Sequence, residues 1–90
     1  MKTIRWDLLK SERLKKTRGV SFEEIIGAKL VDIKGHPSRE NQKIMLFEHK
    51  GYIWVVPFVD TSDEIFLKTL YQSRQYTKMY KKRGHLNESY

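Results

Sequence analysis

Four side chains in one short stretch could process a phosphodiester without a metal. Lys68, Tyr71, Arg74 and Tyr80 all fall within "KTLYQSRQYTKMY". RNA carries its own nucleophile, the 2′-hydroxyl. A protein that cuts it needs a group to take or relay that proton, cations to hold the developing charge, and a donor for the leaving 5′-oxygen. Lysine can relay a proton or hold charge, whereas arginine stays charged and grips phosphate. The hydroxyl of Tyr71 or of Tyr80 could complete the set. A plainer reading stands beside this one. Lysine and tyrosine are ordinary at strand ends, and Lys68 can extend its ammonium to solvent from an apolar face.

Other chemistries find less support. His36, His49 and His85 are far apart in the chain, without the close spacing of metal ligands, and each reads as a surface or loop histidine. There is no cysteine, so disulfides and thiolate metal sites are excluded. Neither a glycine-rich phosphate loop nor a Gly-x-Ser-x-Gly elbow is present. Glu23 and Glu24 are adjacent and would diverge on a helix, so they read as cap and surface. No metal and no cofactor is implied.

Charge sharpens the nucleic-acid reading. The net charge is +7, distributed unevenly over 90 residues. Residues 1–18 hold seven basic and two acidic side chains, residues 19–65 hold five and eight, and residues 66–84 hold six basic and none acidic. If the two basic ends meet, they form one positive surface suited to phosphate or to an acidic protein. Lys10, Arg18, Lys78, Lys81, Lys82 and Arg83 are the candidates for RNA contact. A solubilising surface is the alternative. The longest apolar run, "YIWVVPFV", is too short to span a bilayer, and "MKTIRWD" has no apolar signal region. These features lead to the expectation of a cytoplasmic protein that does not engage a membrane.

The elements that must position these groups are legible as local signals. Asp7 caps a helix from Leu8 to Arg18, with Lys15, Lys16 and Arg18 favoured in its last turn and Gly19 as its left-handed stop. Ser21-x-x-Glu24 is a capping box, with Val20 and Ile25 as its hydrophobic staple. From Lys29 the period becomes two. "KLVDI", "KIMLFEH", "YIWVVPFVD" and "EIFLKTLY" read as four strands, with a tight turn at Lys50-Gly51. The third is apolar on both faces, as in a strand covered on both sides. Pro57 within it cannot donate to a ladder and implies a bulge or a bare edge. Tyr52, Trp54 and Phe58 share one of its faces and are expected in the core. On the fourth strand, Lys68 shares a face with Phe66 and Leu70.

Ser73 caps a last helix from Arg74 to Arg83, closed by Gly84. Tyr76, Met79 and Tyr80 should face the sheet, and the cations should line another face. The expectation is one α+β domain over residues 1–90, with a four-stranded, mainly antiparallel sheet. Residues 1–28 would be helical, 29–71 the sheet, 74–84 the basic helix and 85–90 a tail, with both chain ends packed near each other.

Three stretches, "IRWDLLK", "RGVSFEEI" and "SRQYTKMY", together resemble the BrnT family of bacterial toxins, small RelE-superfamily-like ribonucleases. The matching positions are Trp6, Asp7, Lys10, Gly19 to Glu24, Arg74 and Thr77. Three departures stand out. Arg18 precedes Gly19 where many members have histidine. Lys68 is the nearest basic residue to an arginine that many carry in the last strand. "KMYKK" lacks a glutamate common in the last helix. The resemblance implies a RelE/BrnT-like fold and a ribonuclease toxin of a type II toxin–antitoxin system that blocks translation. It also implies a cognate antitoxin from the adjacent gene and contact with operator DNA only through the antitoxin complex. Because it matches that pattern, Arg74 is the favoured catalytic candidate. A site built from Lys10, Arg18 and the His36 loop is the runner-up. A non-catalytic RNA- or DNA-binding module and a basic scaffold for an acidic protein remain the alternatives of other classes.

Overall fold

The computed structural model describes residues 2–36, 38–40 and 42–82. The two N-terminal helices form where their caps require. Helix α1 spans Leu8–Arg18, and the Asp7 carboxylate accepts from the amides of Leu9 and Lys10 at 2.9 and 3.1 Å. Gly19 ends it at φ 83°, in the left-handed region, with its N–H donating to the carbonyl of Lys15. Helix α2 spans Phe22–Ile26, and its capping box is complete: Ser21 Oγ accepts from the Glu24 amide, and the Glu24 carboxylate accepts from the Ser21 amide, both at 3.1 Å. Val20 and Ile25 enter the same buried cluster.

Among the described residues the sheet has six strands rather than the four expected. They are β1 (Thr3–Arg5), β2 (Lys29–Gly35), β3 (Gln42–His49), β4 (Tyr52–Asp60), β5 (Glu64–Leu67) and β6 (Tyr71–Ser73). Their order is β1-β5-β4-β3-β2, with β6 paired to β4 beside β5. Neighbours are antiparallel except β1, which lies parallel to β5, with Ile4 opposite Ile65. Strand β1 carries no local signal, since it is three residues long and exposed throughout. Its place comes from pairing with a strand about sixty residues away. Lys2 and Lys43 close on Asp60 at that corner, and chiefly the Lys2 ammonium holds the Asp60 carboxyl below its ordinary range.

The expected fourth strand is broken in two. Phe58 pairs with Leu67, and Val55 with Tyr71. Two residues of β4, Val56 and Pro57, therefore face three, Lys68, Thr69 and Leu70. One extra residue on one side is a bulge. The Pro57 carbonyl accepts from the Lys68 amide at 2.8 Å, so the N–H that proline lacks would have pointed to this same edge. Side-chain burial favours the same geometry. Leu67 and Leu70 both enter the core, although a regular strand would point residues three apart to opposite faces. Each buried leucine contributes about 1.5–3 kcal/mol. Lys68 consequently does not share an apolar face with Leu70. It is turned out and exposed, with its ammonium 5.8 Å from the Phe66 ring centre.

Both faces of the sheet are covered. Phe22, Ile25 and Leu14 pack on the side of Met45, Phe47, Trp54, Val56 and Phe58. Helix α3, Arg74–Lys82, packs Tyr76, Met79 and Tyr80 on the side of Ile44, Leu46, Ile53 and Val55. Helices α1 and α3 thus lie on opposite faces instead of together on one, while the two basic ends still meet where β1 pairs with β5 and Arg18 donates to the Leu70 carbonyl. The cause lies in β3 and β4, which are buried on both sides and need two covers. Lys50 and Gly51, at φ 53° and 82°, make the tight hairpin turn between them. Helix α3 is described to Lys82. Arg83, the Gly84 stop, His85 and the tail lie outside the described residues. Among those described, no helix is long and apolar enough to cross a membrane.

Candidate functional site

The bulge forms one wall of a hollow of about 380 Å³. Lys68 and Tyr71 line it from either side of the break, Lys10 from the first turn of α1, and His36, Ser38 and Arg39 from the loop between β2 and β3. Among the described residues its lining has three cations and no carboxylate. Lys10 is half-buried, while Lys68, Tyr71 and Arg39 are exposed. The His36 Nδ1 accepts from the Ser38 amide at 3.1 Å, so the neutral ring carries its proton on Nε2 and offers a donor. The hollow can therefore hold an anion among three positive groups, with Tyr71 and His36 in its lining.

Arg18 does not line this hollow. Its guanidinium donates to the Leu70 carbonyl, which ties the end of α1 to the bulge. That is a positioning role, recognising a carbonyl freed from regular pairing. Lys10, Tyr71 and the His36 loop thus join Lys68, which merges part of the runner-up site with part of the favoured one.

Arg74 is elsewhere. With Tyr52, Gln75, Thr77, Lys78 and Lys81 it lines a second hollow of about 550 Å³ beside the start of α3. The expectation that Lys68 and Arg74 reach one cleft does not hold, because β6 separates them and α3 carries Arg74 away. Tyr52, expected in the core, is 47% exposed here. Tyr80 is 3% exposed, and its hydroxyl donates to the Asp32 carboxylate at 2.9 Å, so it is part of the packing under α3. Lys82 is exposed at the end of α3 and Arg83 lies outside the described residues. Arg39 escapes sequence reasoning, and Tyr52, weighed there as a stacking aromatic, is assigned instead to the core. Arg39 sits in a loop with no periodicity, and Tyr52 alternates with core residues.

Most motif residues behind the sequence resemblance build the frame. The Trp6 indole N–H donates to Glu23 at 3.0 Å, and the buried Ser11 hydroxyl donates to the same carboxylate while accepting from the Phe22 amide at 3.0 Å. The Ser11 hydroxyl is the main cause that holds the Glu23 carboxyl below its ordinary value. Lys15 lies 2.8 Å from Glu24, whose carboxyl falls to about 2, first through Lys15 and then through the Ser21 amide. Thr77 is buried, accepting from the Ile53 amide at 2.8 Å and donating to the Ser73 carbonyl at 2.6 Å. Among the motif positions, Lys10 lines the first hollow, and Arg74 and Thr77 line the second. No three His, Asp or Glu side chains among the described residues are grouped to hold a metal ion.

Neither a protein-family model nor a curated protein matches the chain. Among solved structures it is similar to the ribonuclease toxin BrnT of Brucella abortus, at 21% identity and a TM-score of 0.55. The match covers 83% of this chain and all of that one. The resemblance read from Trp6, Asp7 and the Gly19–Glu24 stretch holds in three dimensions: the chain has a BrnT-like α+β fold.

Proposed function

We propose that the chain is the toxin of a type II toxin–antitoxin pair, and that it cleaves RNA without a metal at the hollow beside the bulge, blocking translation in the cytoplasm. One observation carries this reading: within a fold similar to a ribonuclease toxin, Lys68, Tyr71, Lys10 and Arg39 converge on a hollow that has no described carboxylate. The 2′-oxygen bonds to phosphorus as the bond to the 5′-oxygen breaks. Lys10, Lys68 and Arg39 hold the charge that grows on the phosphate. Tyr71 gives its proton to the leaving 5′-oxygen, and the proton released by the 2′-oxygen returns to the phenol through solvent. The His36 N–H is a further donor to a phosphate oxygen. An antitoxin encoded beside the toxin neutralises it, and operator DNA is reached only through their complex.

The test is induced expression in bacteria, with and without the adjacent small gene. Growth arrest relieved by that gene, with RNA cleaved by the purified chain in the presence of a chelator, is the expected result. Absence of arrest, or arrest without RNA cleavage, would overturn it.

A further inference from the structure

The second hollow asks for a ligand of its own. Arg74, Lys78 and Lys81 recur at helical spacing on one side of α3, and among the described residues no acidic side chain lines the hollow. They span about 10 Å at 1.5 Å per residue. Like charges at this spacing repel by a few tenths of a kcal/mol per pair. Beside them Tyr52 is 47% exposed, although its neighbours at alternate positions, Trp54 and Phe58, are buried. The floor is fixed: the Thr77 hydroxyl is held between the Ile53 amide and the Ser73 carbonyl. A row of cations beside a presented aromatic ring is the arrangement that binds single-stranded nucleic acid, the cations following phosphates and the ring stacking a base. An acidic peptide would use the cations and would leave Tyr52 unexplained.

The two hollows are adjacent along the chain. Tyr71 lines the first and begins β6; Arg74 follows β6 and lines the second. Three extended residues cover about 10 Å. We propose that the hollow formed by Tyr52, Arg74, Lys78 and Lys81 binds the single-stranded RNA flanking the cleavage point, with a base stacked on Tyr52. The inference rests on the reading of the chain as a ribonuclease and assigns its substrate a second, non-reacting contact.

The probe is a 2′-O-methyl oligouridine of roughly 12 nucleotides, which lacks the attacking hydroxyl, followed by fluorescence anisotropy across a salt titration. Tyr52→Ala should weaken binding about tenfold, and Tyr52→Phe should bind as the parent does. The Lys78→Ala, Lys81→Ala double variant should lower the salt slope by about 1.4, at 0.7 per phosphate contact. Lys29→Ala removes an exposed charge that lines neither hollow and should cost less than about twofold. Circular dichroism checks that each variant is folded. Parent-like affinity in both the Tyr52→Ala and the double variant overturns the proposal. So does a polyglutamate peptide that loses affinity to these variants while the RNA does not. Cleavage of ordinary RNA by the parent is measured in parallel. Its absence would remove the nuclease reading of the first hollow, while the second stands or falls on the affinities alone.

Discussion

The amide of Lys68 donates to the carbonyl of Pro57 at 2.8 Å, across the point where the sheet loses its register. This bond joins a proline that cannot donate to a lysine that would otherwise lie on an apolar strand face. The bulge between them buries Leu67 and Leu70 together and releases Lys68 to the hollow. A backbone defect in β4 thereby places the cation on which the proposed chemistry depends.

Pro57→Val should expose that dependence. The variant regains an N–H on the β5/β6 edge, which favours regular pairing and draws Lys68 from its position. RNA cleavage should fall while the unfolding free energy changes by about 1 kcal/mol, the scale of one hydrogen bond. Paired urea denaturation and cleavage assays decide it; full cleavage by a folded variant would separate the bulge from function.

Lys68→Ala and Tyr71→Phe test the hollow directly. Each removes one group aimed at the phosphate or the leaving oxygen, for which a loss on the order of 3 kcal/mol, about a hundredfold in rate, is expected. Both should relieve growth arrest while binding antitoxin as the parent does. Arrest as strong as the parent's from both folded variants would move the site elsewhere.

Thr77 should matter for stability and not for chemistry. Thr77→Val leaves the Ile53 amide without its acceptor in the core, which costs about 1–3 kcal/mol. Thr77→Ser keeps the hydroxyl and should remain near the parent in urea denaturation.

Acid should loosen the N-terminal frame. The Glu24 carboxyl sits at about 2, against an ordinary 4.5, and Glu23 is shifted in the same direction. A carboxyl depressed in the folded state contributes stability that is complete above about pH 4.5 and lost as pH falls toward 2. Glu24→Gln should lower the melting temperature at neutral pH and flatten its decline across that window. The exposed Lys15–Glu24 pair should also weaken with salt.

Association with the antitoxin should slow as salt rises, because basic surfaces on both faces of the sheet would steer an acidic partner over long range. Stopped-flow rates across a salt series give the answer, and an on-rate indifferent to salt would count against charge steering.

Local chemistry was enough to specify both N-terminal helices, the Lys50-Gly51 turn, the Ser73 cap and the inward stripe of α3. Each rests on residues within a few positions of one another, where caps and left-handed glycines act without the rest of the fold. Pro57 likewise announced an interruption in the sheet. Tertiary structure alone decided which side yielded to it, because the extra residue appears on the partner strand, where Leu67 and Leu70 compete for one face. It also decided that β1 pairs with β5 and that Tyr80 is spent on Asp32, contacts 61 and 48 residues apart in the chain. The separation of Lys68 from Arg74 belongs to the same class. Only six positions divide them, yet a bulge, a strand end and a helix start intervene, and their combined geometry depends on what β4 presents across the sheet.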